Sequence, residues 1–136
     1  MKVLGVDHGK KRVGVALSDE SRVHAFPLEA IPGKDRHLLL TRLRSLVLEH
    51  RVSEVVVGLP LTMSGEVGPQ ARKVEEFVER LRHKLGGEVR VTTWDERLSS
   101  AQADRGRGDS RASSKEGMRD MMAAVVILQS FLNRKP

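Results

Sequence analysis

The stretch VLGVDHGKKRVGVALS, residues 3–18, decides the fold. It contains two short apolar runs, Val3–Asp7 and Arg12–Ser18, and the second alternates larger and smaller side chains as strands do. The four residues between them are too few for a crossover, so the two strands must run antiparallel. The sequence therefore predicts a β-hairpin with Asp7 at the end of its first strand.

The segments that follow predict an α/β architecture around this hairpin. A third strand carries Pro27 in its middle and suits a sheet edge, because proline cannot donate to the strand ladder. Glu54–Gly58 is a continuous apolar run, typical of a strand buried on both faces. Pro69 suits the first turn of the next helix, and an S-x-x-E capping box from Ser113 predicts a last helix that starts near Ser114. The predicted strands are 3–7, 12–18, about 23–31, 54–58 and 89–94, and the predicted helices are 37–49, 69–85, 98–105 and 114–132.

Three strands followed by alternating helices and strands predict a mixed sheet with helices on both faces. The unit from Glu54 to Trp94 should be parallel and right-handed. Its strands and the first strand would then present their carboxyl ends along one edge, which is where open α/β sheets bind ligands.

Composition narrows the function classes. The 136 residues predict one domain, 1–136, and the net charge of +6 with a pI of about 10.2 favours polyanionic partners. The absence of cysteine excludes disulfides, zinc–thiolate sites and cysteine nucleophiles, and it suits a reducing cytoplasm. The first apolar run is too short for a signal peptide, and no apolar run approaches the roughly 18 residues of a membrane span.

Three acidic residues stand out by position. Asp7 and Glu96 each follow a predicted strand, and Asp120 lies four residues before Ala124, on the buried stripe of the last helix. A charged group on that stripe needs a partner. If the three carboxylates meet, they form a site for a hard cation, and in a basic chain such a site indicates phosphodiester chemistry.

Each acid also has a simpler interpretation. Asp7 is compatible with an ordinary turn residue, and Glu96 with a surface charge near Arg97. Asp120 is compatible with a carboxylate stabilised by the helix dipole, although that effect fades beyond the first turn. His8 is interpreted as a solvated turn histidine.

Four ordered motifs carry a resemblance to a known family over nearly the whole chain. They are VDHGKKRVGVALSD (6–19), VVVGLPLTMSGEVGPQA (55–71), DERLSS (95–100) and DMMAAVVILQSFL (120–132). Together they resemble the bacterial YqgF/RuvX family, whose members are described as candidate Holliday junction resolvases and as pre-16S rRNA processing nucleases. The resemblance implies an RNase H-like fold with strand order 3-2-1-4-5.

The resemblance also implies catalytic, metal-binding roles for Asp7, Glu96 and Asp120. We therefore expect a metal-dependent endonuclease that acts on structured nucleic acid. Mg²⁺ is the expected ion, with Mn²⁺ as a substitute, because an all-oxygen site suits both.

Several polar residues are candidates for contacts with the nucleic-acid backbone, and each also has a solvated-surface interpretation. Lys11 and Arg12 flank the hairpin turn, the loop with Thr62 and Ser64 offers hydroxyl and N–H groups, and Arg97 is placed either to contact the scissile phosphate or to orient Glu96. A basic segment downstream would bind backbone without reading sequence; its candidates are Arg105, Arg107, Arg111 and Lys115.

Two other functions stay open at this stage. The first strand also resembles the phosphate-binding hairpin of actin-like nucleotide-binding proteins, although those need two such halves. A non-catalytic nucleic-acid-binding module is the second alternative. Junction DNA and precursor rRNA are both structured polyanions that charge cannot distinguish, and symmetric junction cleavage would call for a homodimer.

Overall fold

The computed structural model describes residues 1–99 and 113–134, with side chains from residue 115 onward in the second range. The strands are β1 (Lys2–His8), β2 (Arg12–Ser18), β3 (Ala25–Pro32), β4 (Val52–Leu59) and β5 (Arg90–Asp95). The helices are α1 (Arg36–Glu49), α2 (Pro69–Leu85) and α3 (Ser113–Leu132), and a 3₁₀ turn spans Glu96–Leu98. The predicted helix 98–105 lies almost wholly outside the described residues.

The five strands form one mixed sheet in the order β3-β2-β1-β4-β5. β1 is antiparallel to β2 and parallel to β4, and β4 is parallel to β5. The predicted α/β class, the hairpin and the order 3-2-1-4-5 are confirmed. β3 lies at the edge as Pro27 indicated, and the register of its ladder with β2 shifts next to this proline.

Two apolar cores lie on the two faces of the sheet. On one face α1 and α2 pack through residues such as Leu43 and Leu81, which are 0% exposed. On the other face α3 packs through Ala124, Ile127 and Leu128 against Val3 and Val56. The sheet therefore has a two-helix side and an α3 side.

Local signals set the helix ends. The Asp35 side chain accepts a hydrogen bond from the Leu38 N–H and caps α1. Pro69 occupies the first turn of α2, and Gly86 ends it with a positive φ of 82°. No helix in the described ranges is long and apolar enough to cross a membrane.

Candidate active site

Asp7 lies in the middle of the carboxyl edge, on the α3 side of the sheet. It is 2% exposed, and it pairs across the hairpin with Gly14. On its other side, Val6 pairs with Val57 of β4, so Gly58 follows alongside Asp7. The acid is therefore flanked by a glycine on each neighbouring strand.

Both glycines leave room that other groups fill. A methyl group at Gly58 would lie 2.7 Å from Glu96 Oε1, so the Glu96 carboxylate covers this position. A methyl group at Gly14 would lie 1.9 Å from the Asp120 carbonyl oxygen, so the main chain of α3 covers that one. Asp7, the Glu96 carboxylate and the Asp120 main chain thus meet over three adjacent strands. Neither glycine was singled out from the sequence, although a glycine inside a strand is itself a sign of close approach.

Glu96 is the most deeply placed of the acids. It is 0% exposed, and burial, followed by repulsion from Asp95, raises its pKa to about 7. The 3₁₀ turn is held from both sides: Asp95 Oδ1 accepts from the Arg97 N–H at 2.9 Å, and the Ser99 N–H donates to the Glu96 carbonyl at 3.1 Å. The interpretation of Glu96 as a surface charge is therefore wrong.

The position of the turn is fixed further by α3. The Trp94 Nε1–H donates to Ser130 Oγ at 3.0 Å, and Ser130 Oγ–H donates to the Leu98 carbonyl at 3.1 Å. The Trp94 and Phe131 rings meet edge to face at 5.5 Å. These contacts brace the segment that carries Glu96 against the helix that carries Asp120.

The Asp120 carboxylate has a partner of its own. Asp120 Oδ2 accepts a hydrogen bond from Arg12 Nε at 2.6 Å, and Arg12 Nη2 lies 3.2 Å from Glu116 Oε2. Arg12 thus forms an ion pair with α3. Within residues 1–99 and 113–134, no three His, Asp or Glu side chains are grouped closely enough to hold a metal ion. The structure brings Asp7 and Glu96 together, whereas the Asp120 carboxylate is directed to Arg12.

Arg97 is also engaged within the chain. Its Nη2 donates to Asp95 Oδ2 at 2.7 Å, and this contact holds the pKa of Asp95 below its ordinary range. Its Nη1 donates to the Met63 carbonyl at 3.3 Å, and its guanidinium lies against Gly65, whose φ is +88°. Arg97 therefore links β5 to the loop after β4.

That loop is internally bonded. Thr62 and Ser64 share a hydrogen bond between their hydroxyls at 3.0 Å, and Thr62 Oγ1 accepts from the Glu66 N–H at 3.0 Å. Both residues are exposed beside the carboxyl edge, as are Lys11 in the hairpin turn and Lys115 in α3. The candidates Arg105, Arg107 and Arg111 lie outside the described residues.

His8 departs from its predicted environment. It belongs to β1 and not to the turn, and its ring lies 4.5 Å from the Phe77 ring, on the two-helix side. Burial lowers the pKa of His8, and the charge of Arg36 lowers it further. The interpretation as a solvated turn histidine is wrong, because strand alternation turns this residue under α2.

Comparison with known proteins identifies the family. A family model described as "RuvX: Holliday junction resolvase" matches residues 1–134. The chain belongs to the RuvX family. The resemblance drawn from the four motifs is thereby confirmed. Membership of this family gives the function class, which is a nuclease.

Curated relatives match this RuvX chain along nearly its full length. A protein of Bacillus cereus (strain B4264) is 43% identical, with 99% of this chain and 100% of the relative covered. A protein of Desulforudis audaxviator (strain MP104C) is 39% identical, with 99% and 96% covered. Both are named as candidate pre-16S rRNA nucleases.

Solved structures share the fold of this RuvX protein. T. thermophilus RuvC, in complex with Holliday junction substrate, has a TM-score of 0.62 at 16% identity, covering 96% of this chain and 91% of that one. The fowlpox virus Holliday junction resolvase has a TM-score of 0.53 at 12% identity, covering 97% and 98%. At these identities the likeness shows the RNase H-like resolvase fold alone.

Proposed function

We propose that this RuvX protein is a divalent-metal-dependent endonuclease that cleaves structured nucleic acid, with Asp7, Glu96 and Asp120 as its catalytic carboxylates. The observation that carries the proposal is the burial of Asp7 beside Gly58 and of the Glu96 carboxylate over Gly58, at the carboxyl edge of the sheet. Two carboxylates are withdrawn from water here within one small region. Desolvation of this kind is costly and is typical of functional sites.

The donor set fits a hard cation. Asp7 and Glu96 offer only carboxylate oxygens, which Mg²⁺ and Mn²⁺ both accept, and Asp120 is the third donor from the adjacent helix. A bound divalent ion would supply activation of water and stabilisation of the leaving oxygen. Because the pKa of Glu96 is about 7, binding at neutral pH requires this carboxyl group to release its proton.

The chain's own residues contribute binding and order. Asp7 and Glu96 are held rigidly by β1 and by the 3₁₀ turn, which suits the placement of oxygen donors to within a fraction of an ångström. Arg12 holds the Asp120 carboxylate at the edge through a hydrogen bond, and a bound cation would compete with Arg12 for this carboxylate. Arg97 holds the loop that carries Thr62 and Ser64 beside the site. The hydroxyl groups of these two residues are available there to donate hydrogen bonds to a backbone phosphate.

The proposed substrates are four-way junction DNA and precursor 16S rRNA, which correspond to the family description and to the names of the relatives. We propose that the protein acts as one RNase H-like domain spanning 1–136, in the cytoplasm. Symmetric junction cleavage would in addition require a homodimer, which analytical ultracentrifugation with and without junction DNA tests.

The decisive experiment compares the two substrates with matched variants. A labelled four-way DNA junction and an RNA spanning the precursor 16S rRNA 5′ end are each incubated with Mg²⁺, Mn²⁺ or EDTA. We expect metal-dependent cleavage of one of them by the wild type, and by Glu88→Gln as a surface control, and none by Asp7→Asn. Asp7→Asn should still bind the cleaved substrate.

If the Asp7→Asn variant still cleaves the substrate, the assignment of these acids as the catalytic site is wrong. Binding without cleavage by the wild type, with every metal, would instead support the non-catalytic module.

A further inference from the structure

A polar cleft opens on the two-helix side of the sheet, opposite the acids. Its volume is about 310 Å³, at the lower end of the range for ligand pockets. It lies between the start of α1, the middle of α2 and the end of β1. The lining residues are His8, Arg36, Lys73, Glu76, Phe77 and Arg80.

This cleft shares its rim with the candidate active site. His8 directly follows Asp7 in β1, and strand alternation turns the two side chains to opposite faces of the same edge. The His8 ring packs on the Phe77 ring, with 4.5 Å between their centroids, and both residues line the cleft. One strand end therefore separates the acids from the cleft.

The positive charge of the cleft is only partly compensated. The side chains of Arg36, Lys73 and Arg80 make no hydrogen bond or ion pair with the part of the chain that the structure describes. In contrast, Arg22, Arg42 and Arg82 are each bonded to a glutamate. Glu76 is the one acidic side chain among the described residues that line the cleft, so three cations face one carboxylate.

Two features distinguish the cleft from an ordinary solvated face. Its cations come from two different helices and converge on one concave space, whereas a solvated face presents its charges outward along a single helix. The cleft also lies at the first residue of α1, Arg36, so the partial positive end of this helix adds to the local potential. The combination suits an anion with several oxygens.

We propose that this cleft binds a backbone phosphate of the nucleic-acid substrate, at a position other than the cleaved bond. The inference rests on the proposed function, because it takes the anion to be part of the polymer that reaches the acids. Exposed arginine and lysine side chains at a rim suit a polyanion that is gripped at several points and not read by sequence. The substrate backbone would then wrap over the β1 end from one face of the sheet to the other.

The test uses Asp7→Asn as the binding host, so that the substrate stays intact. The cleft variant adds Lys73→Gln and Arg80→Gln. The matched control adds Arg44→Gln and Arg90→Gln, which remove the same charge from exposed positions outside the cleft. Binding of the labelled four-way junction and of the precursor rRNA fragment is measured by fluorescence anisotropy between about 50 mM and about 200 mM salt.

We expect the cleft variant to bind more weakly and to show a shallower dependence of log affinity on log salt. The slope should fall by about 0.7–0.9 for each phosphate that the variant no longer neutralises. The control should keep the slope of the host. Glu76→Gln, which removes the acidic lining residue, should tighten binding. Circular dichroism of each variant confirms that it is folded.

The outcomes separate this inference from the proposed function. If the wild type cleaves a probe but the cleft variant and the control lose the same affinity and slope, the proposed phosphate site is wrong. The proposed nuclease function is then unaffected. If neither probe binds to the host nor is cleaved by the wild type, both proposals fall. A slope change confined to the cleft variant supports the phosphate site.

Discussion

Arg12 donates its Nε–H to Asp120 Oδ2 at 2.6 Å, joining β2 to α3 across 108 positions of the chain. Arg12 Nη2 also lies 3.2 Å from Glu116, one turn earlier in the same helix. Both contacts are partly buried and lie near Gly14, where the main chain of α3 comes close to the hairpin. A single arginine therefore sets where the third acid of the proposed site points.

Replacing Arg12 should change the metal requirement. A cation that recruits Asp120 must displace Arg12, so Arg12→Gln should lower by several-fold the Mg²⁺ concentration that gives half-maximal cleavage. The measurement is a Mg²⁺ titration of initial cleavage rates at saturating substrate. Arg44→Gln, on the exposed side of α1, is the control and should leave the titration unchanged.

The same variant separates two roles of Arg12. If Arg12 grips a phosphate, as the sequence suggested, its removal raises the substrate KM and leaves the Mg²⁺ requirement where it was. An unchanged requirement with an unchanged KM would contradict both roles.

Gly58→Ala should inactivate the enzyme through Glu96. The added methyl would lie 2.7 Å from Glu96 Oε1 and 2.5 Å from Ile127 Cδ1, so the carboxylate must move. We expect cleavage to fall by about 100-fold, since misplacement by about 1 Å is enough for that loss. Overpacking should cost about 1–3 kcal/mol of unfolding free energy, measured by urea titration.

Gly87→Ala is the control for Gly58→Ala, because nothing lies within 4 Å of its added methyl. It should retain activity and stability. Full activity in Gly58→Ala would show that Glu96 does not need its place over β4.

Glu96 should make stability depend on pH in the absence of metal. Its folded pKa of about 7 lies above the ordinary value of 4.5, so the folded state binds this proton more tightly than the unfolded chain does. The stabilisation is complete below the ordinary pKa and is lost as pH rises through about 7, which amounts to roughly 3 kcal/mol.

Glu96→Gln lacks this titration. In EDTA, the variant should match the wild type at about pH 5 within roughly 1 kcal/mol and exceed its stability at about pH 8. Urea unfolding at the two pH values measures the difference. A constant difference between the two proteins would mean that Glu96 is not desolvated in the folded state.

Arg97→Gln should loosen the loop after β4. The loop loses the bond to the Met63 carbonyl and the guanidinium that lies against Gly65, while its internal bonds at Thr62 remain. We expect faster hydrogen exchange at the amide of Gly65 and a lower kcat/KM. If Arg97 acted on phosphate alone, exchange in the loop would stay at the wild-type rate.

The layout of the sheet followed from short-range patterns. The turn after Asp7 forces the hairpin, Pro27 marks the edge, and the apolar run of β4 marks the centre. β3 begins later than predicted because Asp19 Oδ1 accepts from the N–H groups of Val23 and His24 and keeps them in a turn.

The site was predictable only in part. Helical phase indicated that Asp120 needs a partner, but a pattern within one helix cannot reveal that the partner is Arg12 of β2. The space over Gly14 and Gly58 is filled by α3 and by the 3₁₀ turn, and it therefore depends on how these elements pack on the sheet. Local sequence patterns do not determine this tertiary packing. For the same reason the place of His8 under Phe77 was not visible in the sequence.

Because Gly14 has no side chain, the main chain of α3 packs directly on β2. This packing has a consequence for the time at which the acids come together. α3 follows every strand in the chain, and it alone covers its face of the sheet in the described residues. During synthesis the strands and the two other helices can pair first, while Asp7 faces solvent and Asp120 has not yet arrived. A growing chain is therefore expected to carry an incomplete version of the proposed acidic site, which the docking of α3 would complete.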